Sequence, residues 1–270
     1  MLLVLAATTG CARKVPSSTP PPLGASKKLD IAASGHLLVT AKIEGRPYVL
    51  VLDTGASITS LSSAAARELG VVPTGSMKIN TSIEAPTGTL RKLAISGVDH
   101  ANLPIVIVDH PEAPSNAAGI LGLDVLARHD IVVDFADNEF GVYPAGTLVS
   151  SRADLVSIDY GKNGLILMDV VIDGRNAVPA MLDLGAPVSI LNRRAGAMIG
   201  ARGTATHIAP HTGEFKLVPV RALVRDVGTF KRLGFANRPA IVLGADAFED
   251  RVLAISYRDR VAFVSPELRR

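Results

Sequence analysis

An echo at a spacing of 129 to 130 residues constrains this chain more than any other feature. Ile43-Glu44-Gly45-Arg46 returns as Ile172-Asp173-Gly174-Arg175, and each is followed by an apolar run ending in aspartate, at Asp53 and at Asp183. The register continues through Asp53-Thr54-Gly55-Ala56-Ser57 against Asp183-Leu184-Gly185-Ala186-Pro187, and on to Gly70 against Gly200. Ile120-Leu121-Gly122-Leu123-Asp124 then matches Val242-Leu243-Gly244-Ala245-Asp246 at a spacing of 122. A repeat of this length implies a duplicated lobe of about 120 residues, because each copy carries the same order of turns and apolar runs.

Within each copy the pattern is that of short strands and turns. Leu37 to Ile43, Val49 to Leu52, Lys92 to Ile95 and Ile105 to Val108 are apolar or β-branched runs bounded by Gly, Pro, Asn or Asp. One helical cue follows each aspartate: Ser62 or Ser63 can cap an Ala-rich turn ending before Gly70, and Asn192 the equivalent turn ending before Gly200. A second short helix is expected after each Leu-Gly, capped by Asp124 and by Asp246. The sequence divides into an N-terminal lobe over 35–150, a polar Gly-containing connection over 151–162 and a C-terminal lobe over 163–270.

An aspartate delivered at the end of an apolar strand and followed at once by a residue and glycine is a specific device, since the glycine permits a sharp turn and a close approach. Two copies let two lobes bring Asp53 and Asp183 together across a pseudo-twofold axis. At these residues the chain resembles the retropepsin-like and pepsin-like aspartic proteases, in the form of bacterial relatives carrying two lobes in one chain. The motif Asp53-Thr54-Gly55-Ala56 with Ile120-Leu121-Gly122 is specific in the first lobe and degraded in the second, and the likeness covers residues 36–266.

The resemblance implies a mainly β protein of two closed lobes with an active cleft between them. It implies endopeptidase activity by a water activated between Asp53 and Asp183, with no metal or cofactor, on a peptide or protein substrate. Thr54, Gly55, Ala56, Leu184, Gly185 and Ala186 would then support the site. Thr87 and Gly88, and in the second lobe Thr212 and Gly213, would form flaps over the substrate. Leu184 stands where the family has a hydroxyl that bonds to the opposite lobe, so only Thr54 can brace the dyad, and Pro187 in place of Ser57 is a second departure. A bilobal protein that binds peptides or an envelope partner without cutting them is the alternative. Ala56 and Ala186 stand where pepsins often carry hydroxyls, which predicts raised carboxyl pKa values and activity reaching near-neutral pH. A chain holding both aspartates completes its own dyad, so a monomer is expected over pairing of first lobes from two chains.

The N-terminus reads as an address. Residues 1–10 form an apolar segment of signal-peptide length, and Gly10-Cys11-Ala12 resembles the lipobox of bacterial lipoproteins, where the cysteine takes the lipid. Residues 11–34, Pro- and Ser-rich at their start, would be a tether holding the lobes at the periplasmic face of a bacterial envelope membrane.

Other chemistry finds little support. With 28 basic and 25 acidic residues the formal charge is +3, dispersed along the chain, which disfavours nucleic acid as a partner. Cys11 is the only cysteine, so neither an internal disulfide nor a multi-thiolate metal site is possible within the chain. His207 and His211 are split by Pro210, which breaks the helix that would put both on one face for zinc. Asp134, Asp137 and Asn138 lack the spacing of a calcium loop and suit a hairpin turn. Phosphate-loop and serine-hydrolase elbow motifs are absent from the sequence.

Overall fold

The computed structural model describes residues 27–79, 83–148, 156–160, 164–172, 174–175, 177–213 and 215–265. The expected signal segment and Cys11 lie outside the described residues. The expected tether ends earlier than residue 34, because Lys27–Ile31 is a strand bonded to Glu139–Pro144 on one side and Leu37–Ile43 on the other. Leu29 alone of that strand turns inward and is buried, which is enough once both edges of the strand are hydrogen-bonded.

The chain folds as two β lobes joined by a shared sheet, with only four short α-helices among the described residues. In the first lobe the alternating burial of Leu37–Ile43 marks a strand with one face in the core. It pairs antiparallel with Arg46–Leu52, which pairs in parallel with Gly119–Leu121. Ser60–Leu61 is inserted between Gly119–Leu121 and Val98–Ile107, and Val98–Ile107 pairs with Ile83–Ile95. That last strand is 13 residues long and reaches back to Leu37–Ile43 through the pairs Lys42↔Ala94 and Ile43↔Leu93, closing the barrel.

The second lobe repeats the order. Ile166–Val171 pairs with Ala177–Leu182, which runs parallel to Ile241–Leu243, with Ile190–Leu191 between the latter and Val220–Val224. It remains an open half-barrel among the described residues, where closure of both lobes was expected. The equivalent of the long closing strand is split into Phe215–Lys216 and Val220–Val224. Pro219 between them has no N–H to continue a ladder, and the Leu217 and Val218 amides donate instead to Pro210 and Ala247 carbonyls.

Between the lobes His129–Asp134 and Val252–Ser256 lie antiparallel, with Val132 opposite Ala254. These two strands are the centre of a six-stranded layer running from Val156–Ser157 to Lys27–Ile31. Ile131 to Val133 and Val252 to Ile255, apolar and buried without alternation, fit burial on both faces. Val156–Ser157 and Asp159–Tyr160, expected within the connection, are therefore strands of this layer and of the second lobe; 151–155 and 161–163 lie outside the described residues.

The helical cues were legible. Ser62 Oγ accepts the Ala65 amide and Asn192 Oδ1 accepts the Ala195 amide, capping Ser63–Glu68 and Arg193–Met198. Asp134 Oδ1 accepts the Ala136 and Asp137 amides and Asn138 has φ of 55°, which makes that acidic stretch a hairpin turn. His207 and His211 sit on different strands, opposite Arg221 and Val171 respectively.

Candidate active site

Each strand that carries an aspartate is buried and apolar to its last residue, then turns. The Asp53 amide donates to the Leu121 carbonyl at 3.1 Å and the Asp183 amide to the Leu243 carbonyl at 3.0 Å, so the Leu-Gly strand of each lobe fixes where its aspartate emerges. Each carboxylate then accepts the amide two residues on, Gly55 to Asp53 Oδ1 at 2.6 Å and Gly185 to Asp183 Oδ1 at 3.0 Å. The two carboxyl groups meet across the lobe boundary, near enough to shift one another's titration. A Cβ on Gly55 would stand 2.5 Å from the Asp183 carboxyl, and one on Gly185 would overlap the Asp53 carboxyl. Each glycine is thus required by the aspartate of the other lobe rather than by its own turn alone.

Both carboxyls are held above the ordinary aspartate pKa, chiefly by desolvation in the crowded floor of the cleft. For Asp183 the negative charge of Asp53 adds to desolvation and pushes the group well up, whereas Asp53 is drawn back by the Gly55 amide, the neighbouring Asp183 carboxyl and the Ala56 amide. The pair therefore titrates as a unit and keeps one shared proton above the pH at which an ordinary aspartate loses its own.

A symmetric set of struts holds the two turns. Thr59 donates its amide and its hydroxyl to Asp124 Oδ1 at 2.9 and 2.7 Å, and its Oγ1 accepts the Gly122 amide at 3.1 Å. In the second lobe Ser189 donates its amide to Asp246 Oδ2 and its hydroxyl to Oδ1, at 3.0 and 2.7 Å, while accepting the Gly244 amide at 3.1 Å. Asp124 and Asp246 were expected to cap the short helices. The N-cap positions are Gly122 and Gly244, neither with a side-chain bond, and the two carboxylates sit in the first turn facing the aspartate loops. The repeat itself was the signal that these four residues belong together, since each occurs at the same place in both copies.

Thr54 is fully buried, donates Oγ1 to the Leu182 carbonyl of the other lobe at 3.1 Å and accepts the Leu184 amide at 2.9 Å. Leu184 is fully buried in the main core and returns no such bond, so the interlobe brace is one-sided. Pro187 also has a packing reason: it lies against Gly35 in the turn before Leu37–Ile43, while Ser57, its counterpart, lines the cleft.

The cleft above the dyad has a volume of about 750 Å³ and is lined by both lobes. Of the expected flap residues, Thr87 and Gly88 lie within the strand Ile83–Ile95, Thr87 opposite Gly75 and Val106, not at a tip. The pairing of Gly75–Ile79 with Ile83–Ile95 continues past them to Ile79↔Ile83, 80–82 lie outside the described residues, and the strand Gly75–Ile79 supplies Met77, Lys78 and Ile79 to the cleft. Pro86, a residue common in turns, sits where its strand has a neighbour on one side only, a position that tolerates proline. Thr212 and Gly213 do form a turn, but it is drawn away from the cleft: Thr212 Oγ1 donates to the Asp169 carbonyl and His211 pairs with Val171. The second lobe's wall comes from Gly228–Arg232 and Leu233, through Thr229, Arg232 and Leu233. Sequence reasoning also passed over Ser60, His110 and Glu112, which line the first lobe's side and carry no local motif.

Residues 39–125 match the model of the aspartyl protease family, a stretch that holds Asp53 and ends just past the Leu-Gly strand of the first lobe. No curated protein matches the chain. Two solved structures show what the whole chain is similar to. An aspartic proteinase from Irpex lacteus superimposes with a TM-score of 0.60 at 11% identity, over 90% of this chain and 97% of that one. Basic 7S globulin from soybean superimposes with a TM-score of 0.57 at 11% identity, over 90% and 95%. The fold is therefore the two-lobe fold of aspartic proteinases, and the stretch similar to the aspartyl protease family lies within the first lobe.

Proposed function

We propose that the protein is an aspartic endopeptidase, with Asp53 and Asp183 as its catalytic pair. The single observation that supports this most is the meeting of two desolvated carboxyls, one from each copy of the repeat and each packed against the glycine that follows the other, at the floor of a cleft. The charged member of the pair is suited to take a proton from a water lodged between the two, and the protonated member to polarise the scissile carbonyl. Water adds to the carbonyl carbon to give a tetrahedral diol. Its collapse breaks the C–N bond as a proton passes to the leaving amine, and the pair regains its single shared proton. An extended peptide would enter by strand addition along the cleft. The shared proton survives well above the usual carboxylate range, so activity is expected to extend toward neutral pH.

Cleavage of a peptide library by the purified protein, with Asp53→Asn and Asp183→Asn as controls, tests the reading: each substitution is expected to abolish cleavage, and a statine-containing peptide to inhibit the wild type. A second reading, a peptide-binding protein without turnover, is favoured by the one-sided brace at Leu184. Peptide binding without cleavage by the wild type would select it. The chain is further proposed to act as a monomer anchored through lipid on Cys11, on the strength of Gly10-Cys11-Ala12 and the Pro-rich segment after it. Incorporation of labelled palmitate, lost in Cys11→Ser, tests that anchor.

A further inference from the structure

The first lobe's wall of the cleft is mostly aliphatic, with Ile58, Ile79, Val106, Val108 and Ile120 facing it, and no aromatic side chain lines the cleft among the described residues. One polar unit interrupts this wall. His110 Nε2 lies 3.0 Å from Ser60 Oγ, and His110 Nδ1 lies 3.5 Å from Glu112 Oε1. Ser60 is 4% exposed, on a two-residue strand whose backbone is committed to the sheet on both sides, so its hydroxyl is fixed in place. The His110 side chain is 23% exposed and held between Ser60 and the more open Glu112. The second lobe has no counterpart: Ile190 stands at the position of Ser60, and Leu233 with Thr229 at the wall.

Both His110 ring nitrogens are engaged, Nε2 with Ser60 and Nδ1 with Glu112, whereas Ser60 Oγ keeps an acceptor or donor valence for a ligand whichever tautomer His110 adopts. A purely apolar side chain pressed against it strips the pair of water and returns nothing, which penalises binding. An anionic tip would meet Glu112 and the negative charge of the dyad, and a cationic tip would meet Lys78 and Arg232 along the same cleft. A neutral tip on an apolar body fits both constraints. A phenol both donates and accepts, and its ring fills space that no aromatic of the protein occupies. Resting on the peptidase reading above, we infer that Ser60 and His110 form a specificity pocket for tyrosine beside the scissile bond, selecting it over phenylalanine.

The test uses peptide pairs that differ only as Tyr or Phe at each position flanking the bond that the wild type cleaves. Wild type is expected to favour Tyr by about 3- to 10-fold in kcat/KM at one position, the worth of one net hydrogen bond. That ratio falls to about 1 in both Ser60→Ala and His110→Leu. Cleavage with no Tyr preference at any position, or with a preference that survives both substitutions, overturns the pocket and leaves the peptidase reading standing. If the wild type cleaves no peptide, the peptidase reading fails instead. The same peptide pairs are then compared by fluorescence polarisation on the wild type and the two variants: tighter binding of the Tyr peptide, lost in the variants, supports the pocket, and equal binding refutes it.

Discussion

His100 offers a way to measure how the shared fold responds to acid. It is 4% exposed, its ring meets the edge of His129 at 5.1 Å between centroids, and neither ring's Nε2 has a hydrogen-bond partner. Burial, with the positive charges of His129 and Arg128 against it, lowers its pKa from 6.5 to about 4. The unfolded chain takes up a proton near pH 6.5 and the folded chain does not until about pH 4. Stability from this group is therefore whole above pH 6.5 and drains away as pH falls through that window. At 1.36 kcal/mol per unit, the full loss is about 3 kcal/mol, and by pH 5 about 2 kcal/mol has gone. In a chain of this size, 2 kcal/mol corresponds to roughly 4–8 °C in melting temperature. His100→Gln keeps a polar side chain of similar volume and cannot titrate. Urea denaturation of wild type and variant from pH 7.5 to pH 4.5, at fixed ionic strength, should show the variant gaining on the wild type by about 2 kcal/mol by pH 5. Parallel curves across that range would refute the reasoning. His129, lowered for the same cause, pushes the wild type in the same direction, so this fold is expected to lose stability at the acid pH where gastric pepsins work.

Other expectations follow from the dyad and its supports. Because burial and Asp53 hold the Asp183 pKa well up, the folded state retains a proton that the unfolded chain releases near pH 4, so this group's contribution to wild-type stability falls as pH rises above that value; Asp183→Asn should raise the melting temperature at pH 8 relative to wild type, the gain shrinking toward pH 4. Thr54→Val leaves the Leu182 carbonyl and Leu184 amide unpaired in the core and is expected to cost about 1–3 kcal/mol by denaturation, with a fall in kcat larger than any change in KM. Leu184→Thr exchanges buried apolar contacts for a hydroxyl and should lose about 1–3 kcal/mol without gaining turnover; a stable variant with faster cleavage would show instead that a second bracing hydroxyl was wanting. Gly185→Ala drives a methyl into the Asp53 carboxyl and should abolish cleavage while circular dichroism remains that of a folded β protein.

The repeat made the duplication, the two aspartate turns and the capped helices at Ser62 and Asn192 legible, because each depends on residues close in sequence: a strand's alternation, a glycine after the aspartate, a cap three residues before its amide. The one-sided brace was also readable, since it follows from Thr54 and Leu184 at matched positions. What local pattern left undecided were features set by which strand a segment meets. Pro86 marks a turn in most contexts, yet an edge position in a hairpin accepts it, and only the pairing of Gly75–Ile79 with Ile83–Ile95, carried on to Ile79↔Ile83, shows that the chain stays in a strand there. Lys27–Ile31 has one inward apolar residue and gains its strand from neighbours more than 100 residues away in sequence on one side. Asp124 and Asp246 sit where a cap is plausible, and their bonds to Thr59 and Ser189 exist because the sheet carries residues about 60 apart to one loop. Ser60, His110 and Glu112 carry no motif at all, and they share a cleft because Ser60–Leu61 runs parallel to the end of Val98–Ile107 and the chain then folds back over it. Sequence determined what each lobe would build locally; tertiary structure decided what faced the cleft, because facing is a property of strand partners and of the angle between lobes, and neither is encoded in any single window of residues.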